Sequence, residues 1–231
     1  MFFERFISKE IRRRRGLAKA APGIMRDFLS TPFPDKRSSC ETIEVVALDL
    51  ETTGLDPKRD SILSYGLVLI KKMTIHLDTS QHQLVCVDED IPEESAVIHQ
   101  ITDDIAARGR PLREVLPNLL RQLAGRIMLA HYARIEQNFL DSACRELYGA
   151  PFVIPTIDTL VLAQRLFEIR NHTIQMGDLR LFNLRPRYNL PQYKAHNALS
   201  DALATAELFL AIATDMFPNA EQCRLERFLT N

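Results

Sequence analysis

The 231-residue sequence predicts one mixed α/β sheet with helices on both faces, in which an antiparallel three-strand meander is followed by parallel α/β units. Three observations carry this. Residues 43–49 form a β-branched, apolar run that reads as a buried strand, ended by a turn at Gly54, Asp56 and Pro57. Residues 61–70 and 73–87 then read as two more strands joined at Lys71-Lys72, and such short connections favour antiparallel neighbours. From Leu112 onward the pattern alternates. Helix 112–123, strand 127–130, helix 134–147, strand 152–157, helix 159–169, a short helix 178–184 and a closing helix 199–213 make α/β units that pack on the same sheet.

Ahead of this domain, residues 1–40 hold ten Lys/Arg against four Asp/Glu, whereas residues 41–231 hold nineteen against twenty-six. Phe2, Phe3, Phe6, Ile7 and Ile11 at helical spacing, followed by Arg12 to Arg15, predict a short basic amphipathic helix outside the core. Its chemistry suits nucleic acid, an acidic protein partner or an anionic surface. Residues 30–39, with Pro32 and Pro34, have linker composition. The expected division is therefore a basic segment and linker at 1–40, the compact domain at 41–215, and a tail at 216–231. No apolar stretch approaches the ~20 residues of a transmembrane helix, and no secretory leader is evident, which predicts a soluble, cytoplasmic chain. Cys40, Cys86, Cys144 and Cys223 match no zinc spacing and read as reduced thiols.

Chemistry concentrates at a few carboxylates. Asp49 and Glu51, two apart at the end of the first strand, share one face of it. Two carboxylates held together repel unless a cation shares them, and all-oxygen ligands suit Mg²⁺ or Mn²⁺. Taken alone, the same pair also reads as solvated strand-end acids. Asp201 opens the last helix, where the dipole favours a carboxylate with or without a function. His196 shares a site with Asp201 only if it lies in the loop before that helix, a placement that Asn197 as helix cap provides. From there a histidine with a near-neutral pKa can take a proton from water. Glu136 falls on the inward face of its helix with Leu140, Ala143 and Leu147, where a carboxylate needs a partner or a metal unless its head tips out to solvent.

Taken together and in order, these pieces resemble the DEDDh exonucleases of the RNase H-like superfamily, over about residues 43–213. The first motif, D-x-E-T-T-G, is met by Asp49 to Gly54; H-x-A-x-x-D is met by His196 to Asp201. His99-Gln100-Ile101-Thr102 is similar to the family's H-x-I-T segment, and Asp158-Thr159-Leu160 to its D-T-L segment. The second motif departs: where the family has H-N-A-x-F-D, this chain has His131-Tyr132-Ala133-Arg134-Ile135-Glu136, with glutamate for aspartate. The resemblance implies two Mg²⁺ or Mn²⁺ ions about 4 Å apart on the scissile phosphate. Asp49 would bridge them, Glu51 and Asp201 would complete one shell, Glu136 would reach the other, and His196 would deprotonate the attacking water. Thr52, Thr53, Gly54 and Leu55 would touch the terminal nucleotide, while His99 and Asp158 would only support packing. The implied activity is 3′→5′ hydrolysis of single-stranded DNA ends to nucleoside monophosphates. RNA or short oligonucleotides remain an alternative, as does a non-catalytic nucleic-acid-binding module. Arg180, Arg185, Arg187 and Lys194, interleaved with Phe182, Tyr188 and Tyr193, read either as a single-strand surface or as a solvated irregular region.

Overall fold

A computed structural model describes residues 8–219 and 222–230. In chain order the elements are α1 (Lys9–Lys19), α2 (Ile24–Ser30), β1 (Glu44–Thr52), β2 (Ile62–Lys71), β3 (Thr74–Cys86), α3 (Glu93–His99), α4 (Asp103–Ala106), β4 (Arg110–Pro111), α5 (Leu112–Leu123), β5 (Ile127–Ala130), α6 (Arg134–Tyr148), β6 (Thr156–Asp158), α7 (Thr159–Ile169), α8 (Leu181–Leu184), α9 (Ala198–Met216) and β7 (Leu229–Thr230). The seven strands form one sheet in the order β4-β3-β2-β1-β5-β6-β7. β1, β2 and β3 are antiparallel neighbours, and β5 and β6 follow parallel to β1.

Strand alternation divides the core in two. Val46, Leu48 and Leu50 on one face of β1 pack with Leu116, Leu120, Phe139 and Leu140 from α5 and α6. Val45 and Ala47 on the opposite face pack with Leu162 and Leu166 of α7 and Leu208, Phe209 and Ile212 of α9. Asp49 and Glu51 continue that second face, so the helix that covers it is the one that opens with Asp201. α9 comes very close to the sheet. Gly66 on β2, the register partner of Asp49, has no side chain, and a Cβ there would fall 2.1 Å from Leu199 N and 2.2 Å from Ala198 C.

The ends of the chain depart from the expected division. Met25, Phe28 and Leu29 of α2 are buried in the first core cluster, and Phe28 stacks on Phe152 with ring centroids 5.4 Å apart. Arg13, inside the supposed basic face, is itself buried; it pairs with Glu10, donates to Leu29 O and lies over the Phe33 ring. Burial of three large apolar side chains, at about 1.5–3 kcal/mol each, explains why the segment folds back onto the domain instead of standing apart. The remaining predicted apolar positions, Phe2, Phe3, Phe6 and Ile7, lie outside the described residues. The expected tail also joins the fold: Leu229 and Thr230 pair with Ile157 and Thr156 as a seventh strand, while Leu225 and Phe228 enter the second core cluster. Strand 152–157 is shorter than its pattern predicts, because Phe152, Val153 and Ile154 are buried as irregular chain and β6 begins only after Pro155. No helix among the described residues is long and apolar enough to cross a membrane, and all four cysteines are free.

Candidate active site

The carboxylates meet where β1 ends beneath the start of α9. Ligand oxygens of Asp49, Glu51 and Asp201 lie within 4.8 Å of one another. Asp201 is carried in by the first turn of α9, whose cap Asn197 accepts from Ser200 N at 3.1 Å. The capped start leaves His196 outside the helix at φ 65°, exposed, with its backbone N–H donating to Asp201 Oδ2 at 3.0 Å. His196 and Asp201 are thus tied together although five residues of helix would have turned them apart. Glu136, in the first turn of α6, is only 3% exposed and points inward, so the solvated alternative for it fails.

Four carboxylates in one recess raise one another's proton affinity. Asp49 is pushed well above the usual carboxylate range by burial and then by the charges of Glu136, Glu51 and Asp201. Burial lifts Glu136 to about 8, partly offset by its own and Leu50 backbone N–H groups. Asp201 rises to about 7, again through burial first, with the His196 N–H opposing. Glu51 Oε1, Glu136 Oε2 and Asp201 Oδ1 are buried without hydrogen-bond partners. Buried lone pairs without donors are costly. An all-oxygen recess of this kind fits hard divalent cations, which supply the missing positive charge and coordinate those lone pairs.

A cavity of about 780 Å³ opens beside Asp49 and Asp201, walled by Ile174, Met176, Leu179 and Phe182, with Arg180 at its rim. A second, of about 410 Å³, lies across His196, between Glu51 and Lys194. The basic and aromatic residues proposed from the sequence as one surface divide here. Arg180, Phe182 and Lys194 face these openings, but Arg185 is fully buried, donating to Ala204 O, Pro191 O and Glu207, with Tyr193 stacked on it. Tyr188 bonds Asp215, Tyr193 bonds Glu207, and Arg187 lies over Phe167, so these side chains hold the loop before His196 onto α9 and α7. Thr52 and Thr53 are likewise buried. Their hydroxyls shape the turn, with Thr52 donating to Gly54 O and Thr53 accepting from Ser61 N, whereas Leu55 is 78% exposed.

Residues 46–209 match the RNase T family of exonucleases. The chain belongs to the RNase T exonuclease family. The family is one of exonucleases, and the recess of Asp49, Glu51 and Asp201 is the part of this chain whose oxygen ligands could hold a divalent metal ion. It is 35% identical over 173 residues to a PolC-type DNA polymerase III of Thermotoga petrophila, and 30% identical over 169 residues to the DNA polymerase III subunit epsilon of Treponema pallidum. These alignments cover 75% and 73% of this exonuclease but 12% of the polymerase and 76% of the subunit, so the chain spans about an eighth of the PolC-type relative. Among solved structures, the nuclease domain of 3′hExo, a DEDDh member bound to rAMP, aligns with a TM-score of 0.66 at 16% identity, over 84% of this chain and 99% of that one. Exonuclease I of E. coli in complex with a dA16 oligonucleotide aligns with a TM-score of 0.67 at 16% identity, over 78% and 42%. Both likenesses concern the fold.

Two residues of the exonuclease do more than the sequence suggests. Asp158, read as packing support, caps α7 through Leu160 N and also accepts from Tyr132 N and Ala133 N, which pins the loop before Glu136 with Tyr132 at φ 64°. His99 sits at the end of α3 with Nδ1 against Glu51 Oε2, and its ring meets that of His196 edge to face. The signal for Asp158 was its N-cap position ahead of Thr159-Leu160. None in the sequence brought His99 to Glu51, because their approach depends on how α3 packs. His131 bonds Thr159 Oγ1 at 2.8 Å, and burial lowers it to about 4, which keeps it neutral.

Proposed function

We propose that this chain removes nucleoside monophosphates one at a time from the 3′ end of single-stranded DNA. The observation that carries the reading is the recess itself: three carboxylates with ligand atoms within 4.8 Å, a fourth buried beside them, and an exposed histidine at the mouth. Asp49, Glu51 and Asp201 would hold one Mg²⁺ or Mn²⁺, and Glu136, whose charge raises Asp49 the most among its neighbours, would share a second with Asp49. Bound ions of this class polarise the phosphate and make a water nucleophilic at neutral pH.

The chain's own residues do the rest. His196 accepts the proton of the attacking water at its ring nitrogen, held in reach by its backbone bond to Asp201 and free to swing out because the residue is exposed. Exposed Leu55 and the apolar wall of Ile174, Met176 and Phe182 receive the terminal base. Thr52, Thr53 and Gly54, in the turn directly after the carboxylates of β1, would contact the terminal sugar, and Arg180, on the cavity beside Asp49, would meet the phosphate behind it. DNA is favoured over RNA by the 30–35% identity to DNA polymerase III proteins.

The test uses matched DNA and RNA strands, each labelled at either end, with Mg²⁺, Mn²⁺ or excess chelator. Strands labelled at the 5′ end should shorten in single-nucleotide steps, DNA faster than RNA, with no cleavage in chelator or by Asp49→Ala. Undiminished hydrolysis by Asp49→Ala would exclude the site, and faster degradation of RNA would reverse the substrate assignment.

A further inference from the structure

Glu51 belongs to two clusters. On one side it meets Asp49 and Asp201; on the other its carboxylate and the ring nitrogens of His99 and His196 also lie within 4.8 Å of one another. Glu51 is 4% exposed, and its Oε1 is buried with no hydrogen-bond partner. The two imidazoles come from separate elements, the end of α3 and the left-handed loop before α9, and their rings stand at 81° with centroids 5.8 Å apart. The cavity bounded by Glu51, Ser64, His82, His99, Lys194 and His196 opens this cluster to solvent.

The donor sets of the two clusters differ in kind. Three carboxylates select hard cations, whereas two imidazoles and one carboxylate select borderline ions, Zn²⁺ above all, with Co²⁺ and Ni²⁺ behaving alike. Ligands about 2.0–2.1 Å from a tetrahedral ion stand ~3.3 Å from one another. The cluster's separations reach at most 4.8 Å, so closing it takes a displacement of about 1.5 Å at most, which His196 can supply by rotation, since it is exposed and its backbone alone is fixed, while His99 Nδ1, already against Glu51 Oε2, parts from it to admit the ion. Solvent from the cavity supplies the fourth ligand.

We propose that Glu51, His99 and His196 form a second, nitrogen-rich cation site that binds Zn²⁺-class ions and, when filled, silences the enzyme. The silencing rests on the reading of His196 as proton acceptor and Glu51 as a ligand of the hydrolytic centre, because a bound ion occupies the lone pairs that both need. The cation site itself does not rest on that reading. Lys194, which borders the cluster, donates to the neutral amide Gln100 Oε1 at 2.7 Å, so the polar contact within the cluster is the one between His99 Nδ1 and Glu51 Oε2.

Co²⁺ separates the two parts. Chelator-stripped full-length chain is titrated with Co²⁺ in millimolar Mg²⁺, and the visible absorption of four- or five-coordinate Co²⁺ is followed; hydrolysis of a labelled DNA strand is then measured against added Zn²⁺. The expected result is one intense band per chain that Zn²⁺ abolishes by competition. The band should weaken at least tenfold in affinity in His99→Gln and in His196→Asn, the latter an exposed loop residue whose replacement tolerates positive φ and does not threaten folding. Zn²⁺ should inhibit the parent at concentrations at least tenfold below those that inhibit His99→Gln. Absence of the band, or an unchanged band in both variants, overturns the site whether or not the chain hydrolyses DNA. A band with the expected ligand dependence but no Zn²⁺ inhibition overturns the silencing alone.

Discussion

Placing one methyl group on Gly66 should disable the site without unfolding the protein. Gly66 pairs with Asp49 across β1 and β2, and its missing side chain lets the backbone of Ala198 and Leu199 rest on the strand. In Gly66→Ala the new Cβ would sit 2.1 Å from Leu199 N, 2.2 Å from Ala198 C and 2.4 Å from Ala198 O. All three are main-chain atoms of the α9 start, with no flexible end to swing aside. Restoring a 3.0 Å contact requires α9 to withdraw by roughly 0.9 Å. Asp201 rides on that turn and holds His196 through its carboxylate, so both move relative to Asp49 and Glu51, which stay on β1. A misplacement of about 1 Å costs on the order of 10²-fold in rate, and overpacking costs about 1–3 kcal/mol of stability. The assay is kcat on a 5′-labelled DNA strand at saturating Mn²⁺, alongside thermal melting and calorimetric Mn²⁺ titration. A cooperative melt, a kcat down roughly a hundredfold and weaker Mn²⁺ binding are expected. Parental kcat and Mn²⁺ affinity in a folded Gly66→Ala would refute the claim that contact at this glycine sets the position of Asp201.

Glu136 should tolerate shortening better than loss: Glu136→Asp keeps activity within an order of magnitude, Glu136→Ala loses most of it, and the parent prefers Mn²⁺ over Mg²⁺ because Mg²⁺ demands stricter octahedral geometry. Equal rates for parent and Glu136→Ala under both ions contradict this. Chelated protein should lose stability as pH rises. Glu136 and Asp201 titrate near 8 and 7 folded against 4.5 and 3.8 unfolded, so the folded state holds more protons across that window; stability is greatest below about 4.5 and is lost through about 8. Denaturant midpoints at pH 5 and 8 should show the fall, and saturating Mn²⁺ should abolish it; a midpoint that rises with pH in chelator is the opposing result. Leu29→Ala, at a fully buried position of α2, should cost about 2–5 kcal/mol, measured by denaturant unfolding, and a loss below about 0.5 kcal/mol would mean that the N-terminal helices are ornamental.

The site was legible where residue spacing and secondary structure enforce each other. Asp49 and Glu51 had to share a face once residues 43–52 were a strand, and Asn197 as cap forced His196 off the helix that carries Asp201. Elsewhere local pattern and tertiary outcome diverged. Pro32 and Pro34 gave residues 30–39 the composition of a linker, but nothing in that composition reveals that Phe28 finds Phe152, more than a hundred residues away. Arg185 looked like a phosphate ligand because sequence does not report burial; its guanidinium is spent on Ala204, Pro191 and Glu207. Phe152 to Ile154 mimicked a strand because an irregular segment buried on both sides is as apolar as one.

Both margins of the sheet end in strands of two residues, β4 and β7, and β4 covers only Val85 and Cys86 of the thirteen-residue β3. The rest of the outer side of β3 carries no strand among the described residues, and a long open edge is a template on which a second chain can add itself. Its sequence discourages that. His76, Asp78, Thr79, Ser80, Gln81 and His82 make the margin polar, and the irregular register opposite Leu67 and Leu69 interrupts the even row of donors and acceptors that an incoming strand needs. Leu77, 63% exposed, is the apolar break in this margin. Resistance to edge-to-edge aggregation is therefore written into a strand two places from β1 in the sheet, and a charge at position 77, on its exposed margin, would strengthen it.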